Sequence, residues 1–183
     1  MKELALHILD IAENSIKAET DELNIEINED TRENEFEIVI EDDGKGIEKE
    51  KLENITDPFV TSRKTRPVGL GLSLFKAAAQ RCNGNFEIDS DSNGTSVKAV
   101  FEHDHIDRAP LGNMAQSIVS ILLWDSNLEL TYEHRYNENQ FIFTTKEIKK
   151  ELEDVKITDN KILNWLKDYI DENIREIRGG EFN

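Results

Sequence analysis

The sequence predicts an α+β fold, a two-layer sandwich in which helices cover one face of an antiparallel sheet. Three observations predict it. Leu4, Ile8 and Ile11, with Leu9, Ala12 and Ile16 on an adjoining stripe, fall at helical spacing over 3–18. Leu23, Ile25 and Ile27, then Phe36, Ile38 and Ile40, alternate with polar residues on either side of an acidic turn. An alanine-rich helix at 72–82 is followed by strands at 85–89 and 95–101, joined by the turn Asp91-Ser92-Asn93-Gly94.

Between these halves the chain is irregular. A loop, EDDGKGI, follows Ile40, then a short polar helix near 48–54 and the stretch DPFVTSRKTRPVGLG. The pattern breaks at 104–111, where His105 through Pro110 interrupt it. Beyond lie a helix at 112–124, a hairpin from 128–133 to 140–145, and helices at 146–153 and 159–177. Leu163, Leu166 and Ile170 line one face of the last helix. We therefore divide the chain into a domain at 1–103 and a small α+β extension at 104–183. An extension of about 75 residues is marginal alone and is expected to pack on the first domain. It is nevertheless expected to be separable, so that truncation after about Asp107 leaves the first domain's ligand affinity within a few-fold.

Composition narrows the function. A net charge of −17 opposes general nucleic-acid binding, because a phosphate backbone would be repelled. No apolar run reaches the length of a membrane span, and no basic-then-apolar leader opens the chain. The single cysteine, Cys82, excludes an internal disulfide. These features point to the cytoplasm. The charge is uneven, however. No acidic residue falls between Asp57 and Glu87, while Arg63, Lys64, Arg66, Lys76 and Arg81 do. A basic island in an acidic chain is either a solvated face or a site for a local anion, and the neighbouring glycines favour the anion.

Four segments bear on chemistry. Asp42-Asp43-Gly44-Lys45-Gly46 follows an apolar strand; glycines there admit a flat ligand, and a carboxylate can accept from an exocyclic amine. An ordinary turn explains the same residues. Asp10, Asn14 and Lys17 share one side of the first helix, where an amide oxygen can ligate Mg²⁺ and a lysine can meet phosphate. A polar stripe on an amphipathic helix is the plainer account. Val68-Gly69-Leu70-Gly71-Leu72 opens a helix, whose free N–H groups form an anion site, or simply a tight loop. Asn93-Gly94-Thr95 begins the last strand and could add a hydroxyl to a polar pocket, or serve only the hairpin.

In this order the segments resemble the superfamily named for gyrase, the heat-shock chaperone, histidine kinases and mismatch-repair ATPases. The resemblance spans residues 4–101. ENSIKA resembles the asparagine box, DDGKGI the first glycine box, DPFVTSRK the phenylalanine box, VGLGLSL the second glycine box and NGTSV the last. The HILDIAENSI opening and the HIDRxPLG link resemble small stand-alone histidine-kinase-like ATP-binding proteins of anaerobic bacteria.

The resemblance implies a Bergerat-type ATP-binding fold and a set of roles. Asp42 would hold the adenine amino group, with a water that Thr95 helps to fix. Asn14 would coordinate Mg²⁺ and Lys17 would lie near phosphate. Gly44, Gly46, Gly69 and Gly71 would bring backbone against the nucleotide, with Ile47, Leu70 and Leu72 in the same boxes. Phe59 through Gly71 would form a mobile lid, with Arg63 and Lys64 reaching for phosphates. Asp10 stands where hydrolytic and serine-kinase members carry a glutamate general base, and it is one methylene shorter. Nine residues precede Asp10, too few for the phosphoacceptor hairpin of histidine kinases, so a phosphorylated residue is expected on a partner protein. The implied activities are phosphotransfer to such a partner or slow hydrolysis in a regulatory role. The alternative is a non-catalytic adenine-nucleotide sensor. The extension lacks a legible site and is expected to bind a partner or a second copy.

Overall fold

Residues 2–48, 52 and 70–180 are described in the structure, a computed structural model. The first helix, α1 (Leu4–Lys17), buries the stripe of Leu4, Ala5, Ile8, Ile11 and Ala12 that its spacing predicts. Its start has no side-chain cap. The N–H groups of Leu4 and Ala5 donate instead to the carbonyls of Pro110 and Leu111, at 2.9 and 2.8 Å. The link at 104–111 thus caps the helix that carries Asp10 and Asn14.

Strands β1 (Glu22–Asp30) and β2 (Glu35–Asp42) pair antiparallel from Leu23 opposite Asp42 to Asp30 opposite Glu35. Helix α2 (Leu70–Arg81) leads to β3 (Phe86–Asp91) and β4 (Gly94–Glu102), a hairpin whose turn needs Gly94 at φ 145°. β4 pairs with β2, which sets Thr95 opposite Asp42. Helix α3 (Met114–Trp124) follows, then β5 (Glu129–Tyr136), β6 (Asn139–Thr144), α4 (Thr145–Leu152) and α5 (Asn160–Ile177).

Among the described residues the sheet has six strands, in the order β3-β4-β2-β1-β5-β6. The hairpin of the extension continues the sheet rather than packing as a separate layer. It does so in parallel, Leu23 opposite Leu130 and Ile27 opposite His134. That sense follows from the crossover through α3, which returns the chain to the free edge of β1 in the direction of β1 itself. Alternation then decides the faces. Leu23, Ile25, Ile27, Phe36, Ile38, Ile40, Val97, Ala99, Phe101, Leu130 and Tyr132 point into one buried core with α1, α2, α3 and α5. α1 packs against both α2 and α3, and α3 against α5. Among the described residues no helix is long and apolar enough to cross a membrane.

Candidate functional site

Asp42 ends β2 in the inward phase of Phe36, Ile38 and Ile40, so its carboxylate emerges where the apolar layer stops. It is fixed twice. The Ser15 hydroxyl, one turn from the end of α1, donates to Oδ2 at 2.5 Å, and the Gly44 N–H donates to Oδ1 at 3.0 Å. A carboxylate has about four acceptor positions, so lone pairs remain for a ligand.

The glycine loop presses against its surroundings. A Cβ on Gly44 would lie 3.0 Å from both Cβ and the carbonyl oxygen of Ala18. Gly46 sits at φ +68°, and a Cβ there would fall 1.6 Å from the Asp91 carbonyl. The Ile47 N–H donates to Ser90 Oγ at 2.8 Å, and Ser90 Oγ lies 2.9 Å from Thr95 Oγ1. Ser90 therefore stitches the loop to the β3–β4 hairpin and orients the Thr95 hydroxyl. Asp43 turns elsewhere. Its Oδ1 accepts from Thr20 Oγ1 at 2.5 Å and from the N–H groups of Asp21 and Glu22, each at 2.8 Å. These hydrogen bonds, Thr20's foremost, hold the Asp43 carboxyl below its usual range.

On α1, Asp10 is half-buried beside the start of α2. A Cβ on Gly71 would meet Asp10 Cβ at 3.1 Å and Oδ2 at 3.2 Å. Burial, then the charge of Glu13, lifts the Asp10 carboxyl above its usual range against the pull of Lys17. Asn14 is exposed to solvent one turn further along. Lys17 pairs with Glu13 at 2.7 Å, with both side chains largely exposed. Gly71 is half-buried at the first turn of α2, whereas Leu72 is buried in the core. Phe59, Arg63, Lys64 and Gly69, with all of the expected lid except residues 70 and 71, lie outside the described residues. Of Leu70 the structure describes only its place as the first residue of α2.

Asp42, Thr95 and the Gly44–Ile47 loop are thus tied together through Ser15 and Ser90, while Asp10 meets Gly71 at the start of α2 and Asn14 lies between Asp10 and Ser15 along α1. Ser15 and Ser90, which make these links, were not singled out from sequence. Ser15 carried a signal: it is a polar residue on the apolar stripe of α1, four residues after Ile11. A hollow of about 340 Å³ opens at this end of the sheet, lined by Asp42, Ser90 and Thr95 together with Glu22, Glu41, Asp89 and Asp91, so the part of it nearest those carboxylates repels phosphate. Among the described residues no group of three or more His, Cys, Asp or Glu is arranged to hold a metal ion. A metal at this site would rest on Asn14 and on the ligand itself.

The model of the family described as "Histidine kinase-, DNA gyrase B-, and HSP90-like ATPase" matches residues 2–105. A curated protein of Bacillus subtilis (strain 168), described as a "Probable C4-dicarboxylate sensor kinase", is 40% identical over 65 residues. That stretch is 35% of this chain and 12% of the kinase, so this chain spans a small part of that relative's length. Among solved structures, the Aquifex aeolicus MutL ATPase domain complexed with ADP aligns with all of this chain and 71% of its own, at a TM-score of 0.49 and 13% identity.

Proposed function

The chain belongs to the histidine kinase-, DNA gyrase B- and HSP90-like ATPase family and carries its ATP-binding domain, and on that premise we propose a regulatory protein that binds ATP with Mg²⁺ at Asp42 and transfers or hydrolyses the γ-phosphate. The observation that carries the reading is the fixed carboxylate of Asp42. It is held by Ser15 and Gly44 and stands opposite Thr95.

Each role follows from local chemistry. Asp42 accepts from the adenine amino group; guanine presents an acceptor there and binds poorly. Gly44 and Gly46 give the base and ribose a side-chain-free approach. The N–H groups at the start of α2, with Gly71, face the phosphates, and the family resemblance gives Arg63, Lys64 and Gly69 the same task. Asn14 fits a Mg²⁺ ion because its amide is exposed, and an ion that keeps several waters needs few protein ligands. Such an ion neutralises phosphate charge. Asp10, its carboxyl raised by burial, takes the proton from an attacking water or from a partner's hydroxyl.

Residues 1–103 form the nucleotide-binding part in this reading, and 104–183 receive a cytoplasmic protein partner or a second copy. One observation favours the sensor alternative: Lys17 is paired with Glu13 at 2.7 Å. Calorimetry with ATP tests the binding reading. Asp42→Asn is expected to weaken affinity by about ten- to a hundredfold, and equal affinity in both proteins rejects it. Incubation with γ-labelled ATP, alone and with lysate, separates the activities. A labelled partner indicates a kinase, released phosphate an ATPase, and neither a sensor. Asp10→Asn should abolish turnover while leaving binding intact.

A further inference from the structure

We infer that the outer edge of β6 is a self-pairing surface: two copies of the chain join there antiparallel, Ile142 against Ile142, and continue one sheet across a two-fold axis. The inference stands apart from the nucleotide reading. Among the described residues the sheet ends at β3 on one side and at β6 on the other. β3 carries Glu87, Asp89 and Asp91, charges that keep another strand away. β6 carries none, and no charged residue stands between Glu138 and Lys146. In a chain of net charge −17, β6 is therefore the edge that a second copy can approach without facing a row of carboxylates.

The ladder fixes which groups face outward. Glu129 and Asn137 donate their N–H groups to the carbonyls of Asp21 and Glu29. In a parallel pair both backbone groups of a residue point the same way, so the odd-numbered residues of β5 face β1 and the even-numbered ones face β6. Tyr132, His134 and Tyr136 then bond with Phe143, Phe141 and Asn139, which stand opposite them. Gln140 and Ile142 turn their N–H and C=O groups outward, where no described backbone group meets them. The Ile142 side chain is also 47% exposed, on the face away from the buried Phe141 and Phe143. An antiparallel pairing centred on Ile142 sets outward groups against outward groups: Ile142 against its own copy, Gln140 against Thr144, and Glu138 against Lys146. Glu138 and Lys146 are both exposed, and the two-fold axis forms their ion pair twice. Moving the axis by one residue either way loses both the Ile142 contact and the charge match. β6 has six residues, so the interface is at the small end of specific contacts and the dimer is weak.

Sedimentation velocity of the full chain at rising concentration tests this. The wild type should pass from monomer to dimer. Ile142→Lys sets two cations face to face on the axis and should weaken the dimer about tenfold or more. Lys146→Glu places like charges at both ends and should weaken it about fivefold or more; adding Glu138→Lys should restore the wild-type dimer. Lys146 lies in the first turn of α4, where an acid suits the helix, so the monomer should melt unchanged. A wild type that stays monomeric throughout overturns the inference and leaves the edge to a strand of another protein. A dimer that Ile142→Lys and Lys146→Glu both leave intact forms elsewhere and overturns it too, as does a double exchange that fails to recover what Lys146→Glu loses. If I142K does not fold, the charge exchange decides alone.

Discussion

At the scale of residues, Asp42 and Asp43 are adjacent in the chain and take different work from their neighbours. Asp43 spends its oxygen on Thr20, Asp21 and Glu22, whereas Asp42 is aimed by Ser15 and Gly44. Ser15→Ala removes the only hydroxyl donating to Asp42 among the described residues. We expect ATP affinity to drop about three- to tenfold, with a small loss of stability, as for one charge-assisted hydrogen bond. Calorimetry that finds no change would show that Gly44 alone aims the carboxylate. Gly46→Ala is expected to be harsher. It puts a methyl 1.6 Å from the Asp91 carbonyl at a φ of +68°, so the loop must leave the β3–β4 turn. ATP binding should weaken by more than about tenfold, with a melting point several degrees lower. Asp42, Thr95 and the glycines stand out in the sequence because their boxes keep a fixed order along the chain. Ser15 and Ser90 do not, because a serine announces neither its face nor its partner until the strands are paired.

At the scale of elements, the far end of β1 holds a polar knot unrelated to the nucleotide site. Glu29 is buried; its Oε1 accepts from His134 Nε2 at 2.7 Å and from Arg178, and Oε2 lies 3.2 Å from His103 Nε2. Burial by itself would raise the Glu29 carboxyl. The His134 hydrogen bond and the Arg178 charge outweigh it and hold the group at about 2. Burial lowers His134 in turn, so its ring is neutral, with Nε2–H given to Glu29 and Nδ1 facing the Tyr132 hydroxyl at 2.7 Å. The sign for stability follows. Glu29 is depressed from 4.5, so its contribution is complete above about pH 4.5 and is lost as pH falls toward 2. His7 is lowered from 6.5 to about 4, so its contribution is complete above pH 6.5 and fades through that window on acidification. Glu29→Gln should cost about 3–5 kcal/mol at pH 7, since it breaks the buried ion pair with Arg178 and the charge-assisted bond from His134. Urea unfolding should show this gap closing below pH 4; a constant gap from pH 7 to 3 would assign the acid sensitivity elsewhere. Strands β1 and β2 were legible from the alternation of Leu23, Ile25 and Ile27 and of Phe36, Ile38 and Ile40. That His134 meets Glu29, 105 positions earlier, was not, because local pattern carries no pairing partner.

At the scale of the molecule, the extension is built into the sheet, and this reverses the outcome its composition suggested for truncation. β5 covers the edge of β1 from Glu22 to Glu29, in parallel. α3 packs on α1, and Pro110 and Leu111 accept the first N–H groups of that helix. Arg178, just past α5, reaches back to Glu29. Removing everything after Asp107 would strip these contacts together. It would bare the backbone of β1, leave α1 uncapped, and expose to water Leu4, Ile8 and the inward face of β1. The boundary looked separable because the motif boxes end at residue 101 and the link reads as irregular. Neither feature reports which strand edge is left open. We expect residues 1–107 to lack a cooperative thermal transition, to aggregate, and to lose ATP binding. On the proposed reading, a partner would meet what the extension leaves outside, including Leu123, Trp124 and Trp165, each about half exposed. Charged substitutions there should spare both fold and nucleotide affinity while reducing partner capture. Differential scanning calorimetry of the 1–107 fragment decides the architecture. A sharp transition within a few degrees of the full chain, with ATP affinity preserved, would show that the six-stranded sheet is two separable units joined at an edge.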